Sequence, residues 1–361
     1  MKRLACGAAL AALLLAGCDS SSVPDAKKAA EKAAEKTTEA VEKTAEAAGK
    51  AVDKAKEAAG AAAEKVADVA DKAANKAAEV ADKAVAAADK VVEKVAGGPN
   101  KLWEIGGLPG AECAILDGGA IYVSNVNGDP MGKDAKGYIA KVSMDGKTAD
   151  KWVDGLKAPK GLAISNGKMY VGDVDELVEI DMATAKIVTK HKAEGAGLLN
   201  DVAADAAGNI YTSDTGGGGI FKLSGGKLEK WADDKVLAGA NGLLVEGDNL
   251  IVNTWGVLTG NGFETSALGR IVSISLKDKK ITELDGGKPI GNLDGFASLG
   301  GGSYIVSDWM AGKIFKFTSG GKIEPIMDLG KGNADLTYDP ATKIMYVPHM
   351  MENKLIAVQM P

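Results

Sequence analysis

The chain has 361 residues, 46% hydrophobic, 25% charged and 5% aromatic, with a formal net charge of −6. A mildly acidic balance without a basic patch argues against nucleic acid as a partner. Of three cysteines, Cys6 leaves with an N-terminal signal and the sulfur of Cys18 is taken up by modification at its end, so Cys113 alone remains and no intrachain disulfide forms in the mature protein.

In chain order, Lys2 and Arg3 precede an apolar run from Leu4 to Ala16, too short to span a bilayer with ease. This secretory signal, residues 1–18, ends in Leu15-Ala16-Gly17-Cys18, which resembles a bacterial lipobox. The resemblance implies cleavage before Cys18 and acylation of its sulfur with palmitate-type chains. Each buried CH₂ then contributes roughly 0.8 kcal/mol to membrane anchoring. Asp19 resembles an inner-membrane retention signal of enteric bacteria. The expected location is the cell envelope, lipid-anchored at the membrane and facing the periplasm.

Residues 19–98 form an Ala/Lys/Glu-rich segment. No proline occurs between Asp25 and Gly98, and residues 24–97 hold 14 Lys against 15 Asp and Glu. Ala, Lys and Glu are strong helix formers. Pairs such as Glu39–Lys43 and Glu46–Lys50 attract along a helix face, while Glu31–Glu35 and Glu42–Glu46 repel. Val41 and Val52 are 11 apart, as are Val69, Val80 and Val91, a period that resembles late-embryogenesis-abundant-type helices. With Ala at most apolar positions, little area is available for burial. The segment reads as a long α-helical or partly disordered tether, with a coiled coil to an envelope protein or a membrane-surface helix as alternatives. Pro99, behind Gly97-Gly98, ends it.

Residues 99–361 change character. NDVAADAAGNIYTSD from Asn200 reads as a polar pair, a short strand, a turn and a second strand ending in polar residues. The unit recurs at Asn241 (NGLLVEGDNLIVNTW) and Asp294 (DGFASLGGGSYIVSDW), and more weakly at Lys160 and Ala334. AILDGGAIYVSN, behind Glu112, makes six. Their second strands align through Tyr122, Tyr170, Tyr211, Ile251, Ile305 and Tyr346, with spacings of 48, 41, 40, 54 and 41. A period near 40 with strand pairs and polar turns predicts an all-β six-bladed propeller. The last unit lacks a fourth strand, and Lys101-Leu-Trp-Glu-Ile105 is free to supply it and close the ring. The two long spacings place insertions at Gly128–Gly137 and Gly256–Gly269, both after a second strand.

This topology puts the start of each unit and the end of its second strand on one face. That face gathers Asn125, Asp173, Asp214, Asn253, Trp255, Asp308, Trp309 and His349. Glu112, Asn200, Asn241 and Asp294 open four blades and converge near the axis. Singly, each Asn-Asp or Asn-Gly is a turn signal. Together they are a hard oxygen set suited to a divalent metal ion, Ca²⁺ first, with Mg²⁺, Mn²⁺ or Zn²⁺ as alternatives. Asp201 is placed to orient Asn200 from behind. The second histidine, His191, falls on an outer strand, which excludes histidine-rich metal sites. No G-x-S-x-G, Walker loop, GxGxxG or H-E-x-x-H is present.

Over residues 105–359 the chain resembles the gluconolactonase, regucalcin and luciferin-regenerating-enzyme family of six-bladed propellers. The resemblance rests on Glu112, NDVAADAAGNIYTSD, NGLLVEGDNLIV and DGFA before SYIVSDW. It implies Glu112, Asn241 and Asp294 as metal ligands, Asn200 as a further ligand or substrate contact, and Asp294 as base or nucleophile. Related phosphotriesterase-like and paraoxonase-like propellers place a histidine on this face, and His349 is the residue available for proton transfer. Glu112-Cys113-Ala114 departs from the family's Glu-Gly-Pro. The units at Lys160-Gly161 and Ala334-Asp335 carry no matching ligand. The expected function is a metal-dependent hydrolase of a small-molecule lactone or ester, with Asn253, Trp255 and Trp309 around the substrate. The alternative is a non-catalytic propeller that presents this face to a ligand or an envelope protein.

Overall fold

The computed structural model describes residues 100–360, together with the single residue Lys50. The signal, Cys18 and almost all of the 19–98 tether lie outside the described residues. The chain divides into two units between Gly98 and Pro99.

The second unit is a ring of six four-stranded antiparallel sheets. The first five blades occupy residues 111–156, 159–192, 199–232, 240–283 and 293–328. The sixth combines Thr337–Asp339, Ile344–His349 and Lys354–Gln359 with Asn100–Gly106 as its outer strand, so the chain's first propeller strand closes the ring as expected. Each second strand is buried on both faces at its centre, as in Ile121-Tyr122-Val123 and Tyr304-Ile305-Val306. Outer strands such as Lys186–Lys192 alternate half-buried and exposed residues. This gradient puts the core between the blades, where Leu, Ile, Val and Tyr of neighbouring sheets interleave.

The insertion at 256–269 folds as a two-stranded hairpin, Gly256–Leu258 paired with Thr265–Leu268. The insertion after Asn125 remains a loop through Lys136.

Three of the aspartates that end second strands serve the fold. Asp173 accepts hydrogen bonds from the amides of Lys157 and Ala158, at 2.9 and 2.8 Å. Asp214 accepts from Gly197, Leu198 and Gly217. Asp308 accepts from Ala311 at 3.0 Å. Each carboxylate satisfies amides in the turns entering or leaving its blade, charge-assisted bonds that pin those turns. The shared face assigned to these residues is therefore built of loop caps as much as of site groups.

Candidate functional site

Five inner strands carry the same irregularity. Their pairing slips between Ala111 and Ala114, Pro159 and Leu162, Leu199 and Val202, Ala240 and Leu243, and Leu293 and Phe296. Two residues therefore face one on the partner strand, which is a β-bulge. The paired bulge residues are Glu112-Cys113, Lys160-Gly161, Asn200-Asp201, Asn241-Gly242 and Asp294-Gly295. The extra residue frees a backbone amide, and the single opposing residue accepts it. Ser124 takes the amide of Cys113, Ser213 that of Asp201, Asn253 that of Gly242 and Ser307 that of Gly295, at 2.7–2.9 Å. In the second blade the opposing residue is Gly172, where a Cβ would fall 2.1 Å from the Asn200 carbonyl oxygen. The bulge is what re-aims one polar side chain per blade toward the axis.

The first residue of each bulge lines a single cavity of about 600 Å³. Together with Asn127, Thr215 and Asn353, these residues, Glu112, Lys160, Asn200, Asn241 and Asp294, form its polar part. Trp255, Trp309 and Phe263 form an aromatic wall, and Pro109, Pro130, Met350 and Met351 complete the apolar part. Trp255 sits 5.8 Å from Trp309 and 5.9 Å from Phe263 between ring centroids, and its indole N–H donates to the Phe263 carbonyl at 2.9 Å. The hairpin insertion thus fixes one wall, and Pro130 of the other insertion contributes to the rim.

The polar groups are buried and crowded. Burial, then the Asp294 and Asp201 charges, raises the Glu112 carboxyl well above the usual range, with Lys160 pulling the other way. Asp294 is pushed up to about 8 by burial and then by Asp201, against a hydrogen bond from Asn241 and the Lys160 charge. Burial lowers the Lys160 ammonium, partly offset by Glu112, Asp173, Asp129 and Asp294. Two buried oxygens, Glu112 Oε2 and Asn241 Oδ1, have no hydrogen-bond partner among the described residues. Asn241 uses its Nδ2 on the Leu293 carbonyl at 3.1 Å, which leaves the oxygen for something else. Unpaired buried oxygens beside a second carboxylate are the donor set of a hard cation, so these residues fit a divalent metal.

The second residues of the bulges build a layer beneath. Gly161, Gly242 and Gly295 leave room there for backbone and for Asp201: a Cβ at Gly161 would fall 2.3 Å from Asp201 Oδ1. Cys113 Sγ and one oxygen each of Asp201 and Asp335 lie within 4.8 Å of one another. Burial raises both carboxyls, Asp201 to about 7, and raises the Cys113 thiol as well. Asp201 does not hydrogen-bond to Asn200. It accepts from Val202 and from Leu243 of the next blade, both at 2.6 Å, and so ties two blades together.

The remaining expected residues divide. Asn253 lies outside the cavity lining and acts on the backbone, since its Oδ1 accepts from Gly242 and its Nδ2 donates to the Asp294 carbonyl at 2.7 Å. It holds the adjoining ligand positions in register. His349 is buried away from the lining, with Nε2 at 3.1 Å from the Leu329 carbonyl, while Met350 and Met351 reach the cavity instead. A proton-transfer role for His349 therefore has no geometric support. Lys160 is the residue that sequence reasoning passed over. Its signal was present: Lys160-Gly161 stands in the same register as Asn241-Gly242 and Asp294-Gly295.

No family model and no curated protein matches the chain. Solved structures share its fold. A gluconolactonase from Xanthomonas campestris is 16% identical with a TM-score of 0.54, over 73% of this chain and 87% of its own. A structure described as a putative gluconolactonase gives 16% and 0.55, over 73% and 92%. Virginiamycin B lyase from Staphylococcus aureus gives 16% and 0.50, over 72% and 99%. These likenesses show the fold, a six-bladed propeller.

Proposed function

We propose that the cavity belongs to a divalent-cation-dependent hydrolase of lactone or other ester bonds, with Ca²⁺ the best match to its oxygen donors. The observation that carries this reading is the pair of buried, unpartnered oxygens, Glu112 Oε2 and Asn241 Oδ1, in residues that share the cavity with Asn200 and Asp294. Leaving such a group unsatisfied costs about 1–3 kcal/mol. Glu112, Asn200, Asn241 and Asp294 would hold the cation, which when bound supplies Lewis acidity at the scissile carbonyl. The chain does the rest. Asp294, ionised once the cation is bound, takes the proton of the attacking water. Asn200, whose side chain has no hydrogen bond among the described residues, orients the substrate. Trp255 and Trp309 exclude water and pack on the leaving or ring portion of the substrate.

Calorimetric titration with Ca²⁺ and hydrolysis of a lactone panel test the proposal. EDTA is expected to lower turnover about 100-fold or more, because polarisation of a carbonyl by a metal contributes several kcal/mol. Ca²⁺ binding with no hydrolysis assigns the cavity to ligand binding instead. Turnover indifferent to EDTA removes the cation from the reading.

We also propose that a lipid on Cys18 tethers the propeller to the envelope membrane through residues 19–98, on the strength of the lipobox-like Leu15-Ala16-Gly17-Cys18. Wild type should enter the detergent phase on phase separation and Cys18→Ala the aqueous phase. Equal partitioning of the two would refute lipidation.

A further inference from the structure

Lys160 has no role in the hydrolysis outlined above, yet it occupies one of the five bulge positions that face the cavity. It is 3% exposed. A lysine so buried is expensive unless its charge is held or used. Its Nζ donates to the Pro130 carbonyl at 2.7 Å and the Ala158 carbonyl at 2.9 Å. An ammonium has three donors, so one N–H is left without an acceptor among the described residues. No carboxylate among them forms an ion pair with Nζ. Asp173, a buried carboxylate of the same blade whose charge acts on Lys160, is occupied by the Lys157 and Ala158 amides. The two carbonyls therefore fix the head group like a bracket, one from the insertion loop and one from the blade's own entry, and leave its remaining donor to the cavity.

Charge balance gives that donor a purpose. Glu112 and Asp294 are the carboxylates that line the cavity beside Lys160. A divalent cation held between them matches their two negative charges, and the Lys160 ammonium is then the uncompensated charge of the lining. We propose that Lys160 is an anion-recognition residue, and that the cavity takes substrates bearing a carboxylate in addition to the scissile lactone or ester carbonyl. This rests on the hydrolase reading and narrows it to acidic lactones or esters. A neutral sugar lactone satisfies the cation but leaves the third N–H of Lys160 unpaired. A second carboxylate accepts from it, at a side chain only 3% exposed, where a charge-assisted hydrogen bond is strong.

The test compares two stable hydrolysis products, gluconate with one carboxylate and glucarate with two, by calorimetry on the full-length protein with Ca²⁺ present. Wild type is expected to bind glucarate on the order of 10- to 100-fold more tightly than gluconate. Lys160→Met should erase that ratio while still binding Ca²⁺, and Lys160→Arg should keep most of it. A structural role alone would lower the melting temperature of Lys160→Met and leave the ratio unchanged. Should Lys160→Met not fold, the wild-type ratio still decides, since equal binding of the two acids overturns the assignment. The two readings also fail separately. Ca²⁺ bound with no glucarate preference sinks the role of Lys160 alone. A Lys160-dependent glucarate preference with no Ca²⁺ binding sinks the cation and leaves the anion site standing.

Discussion

Asp294→Asn is expected to lower turnover on any ester or lactone substrate by about 100- to 10,000-fold, the range by which a positioned general base contributes. The substitution is nearly isosteric, and the backbone at 294 is held by Asn253 rather than by its own side chain. Fold and cavity should therefore survive, and the melting temperature should stay close to that of wild type. The pH dependence of cation binding gives a second readout. Without the cation, Asp294 keeps its proton up to about pH 8, because burial and the Asp201 charge penalise the carboxylate. A cation needs the carboxylate form, so binding must expel that proton. Affinity should rise with pH from acid values and stop gaining from this group above about pH 8. Each proton expelled changes affinity about tenfold per pH unit. Glu112 is raised in the same sense and contributes its own proton. Asp294→Asn should flatten the slope by one proton, and Glu112→Gln likewise. Identical slopes for wild type and both variants would mean that neither carboxylate meets the cation.

The ring itself was readable because a propeller repeats one short-range instruction. Apolar runs at Tyr122, Tyr211 and Tyr346, each followed by polar turn residues, fix a strand pair without knowledge of its neighbours. Trp103 and Ile105 stood out because they alternate on a strand that the first unit had no place for. The site was legible only where side-chain type and position agreed. Glu112, Asn241 and Asp294 are oxygen donors at unit starts. Lys160 holds the same position with the opposite charge, and a search for ligands passes over it. Asp173, Asp214 and Asp308 show the reverse. Their residue type suggested chemistry, but unpaired amides in the adjoining turns claim them first. The bulges were not visible, because one added residue per inner strand changes neither composition nor period. Yet they separate the cavity layer from the layer of Cys113, Asp201 and Asp335. His349 follows from the same limit. His349 ends its strand, and the 3-10 turn Met350–Glu352 that follows carries Met350 and Met351 to the cavity instead.

Deleting residues 99–106 from the full chain is expected to abolish cooperative folding of the propeller. Asn100–Gly106 pairs with Lys354–Gln359 from Asn100 opposite Gln359 to Gly106 opposite Lys354. Its loss exposes the outer edge of the sixth blade to other chains. Lost packing weighs more than the lost strand pairing. Trp103 lies 5.9 Å from Tyr346 of the sixth blade, and its ring covers Gly146 of the first, where a Cβ would come within 2.4 Å of it. One side chain thus bridges the two ends of the ring. Ile105 packs beside it on the cluster formed by Leu108, Val123, Val142, Tyr346 and Leu355. Losing a large aromatic costs about 3–5 kcal/mol and an isoleucine about 2–5, and both are only half-buried here, so the lower ends apply. Even so, the sum approaches the roughly 5–15 kcal/mol that separates folded from unfolded states in a typical domain. The ion pairs Lys101–Glu104 and Lys354–Glu104 add little, because both share Glu104, whose side chain is 41% exposed. Trp103→Ala should lower stability by about 2–4 kcal/mol in chemical denaturation. The deletion should aggregate or melt without a cooperative transition, and a synthetic peptide of residues 99–107 should restore the transition. A deletion variant that unfolds cooperatively within a few degrees of the full chain would show that the ring is held shut by the parallel contact of Cys113 with Asp335 and the inner strands alone.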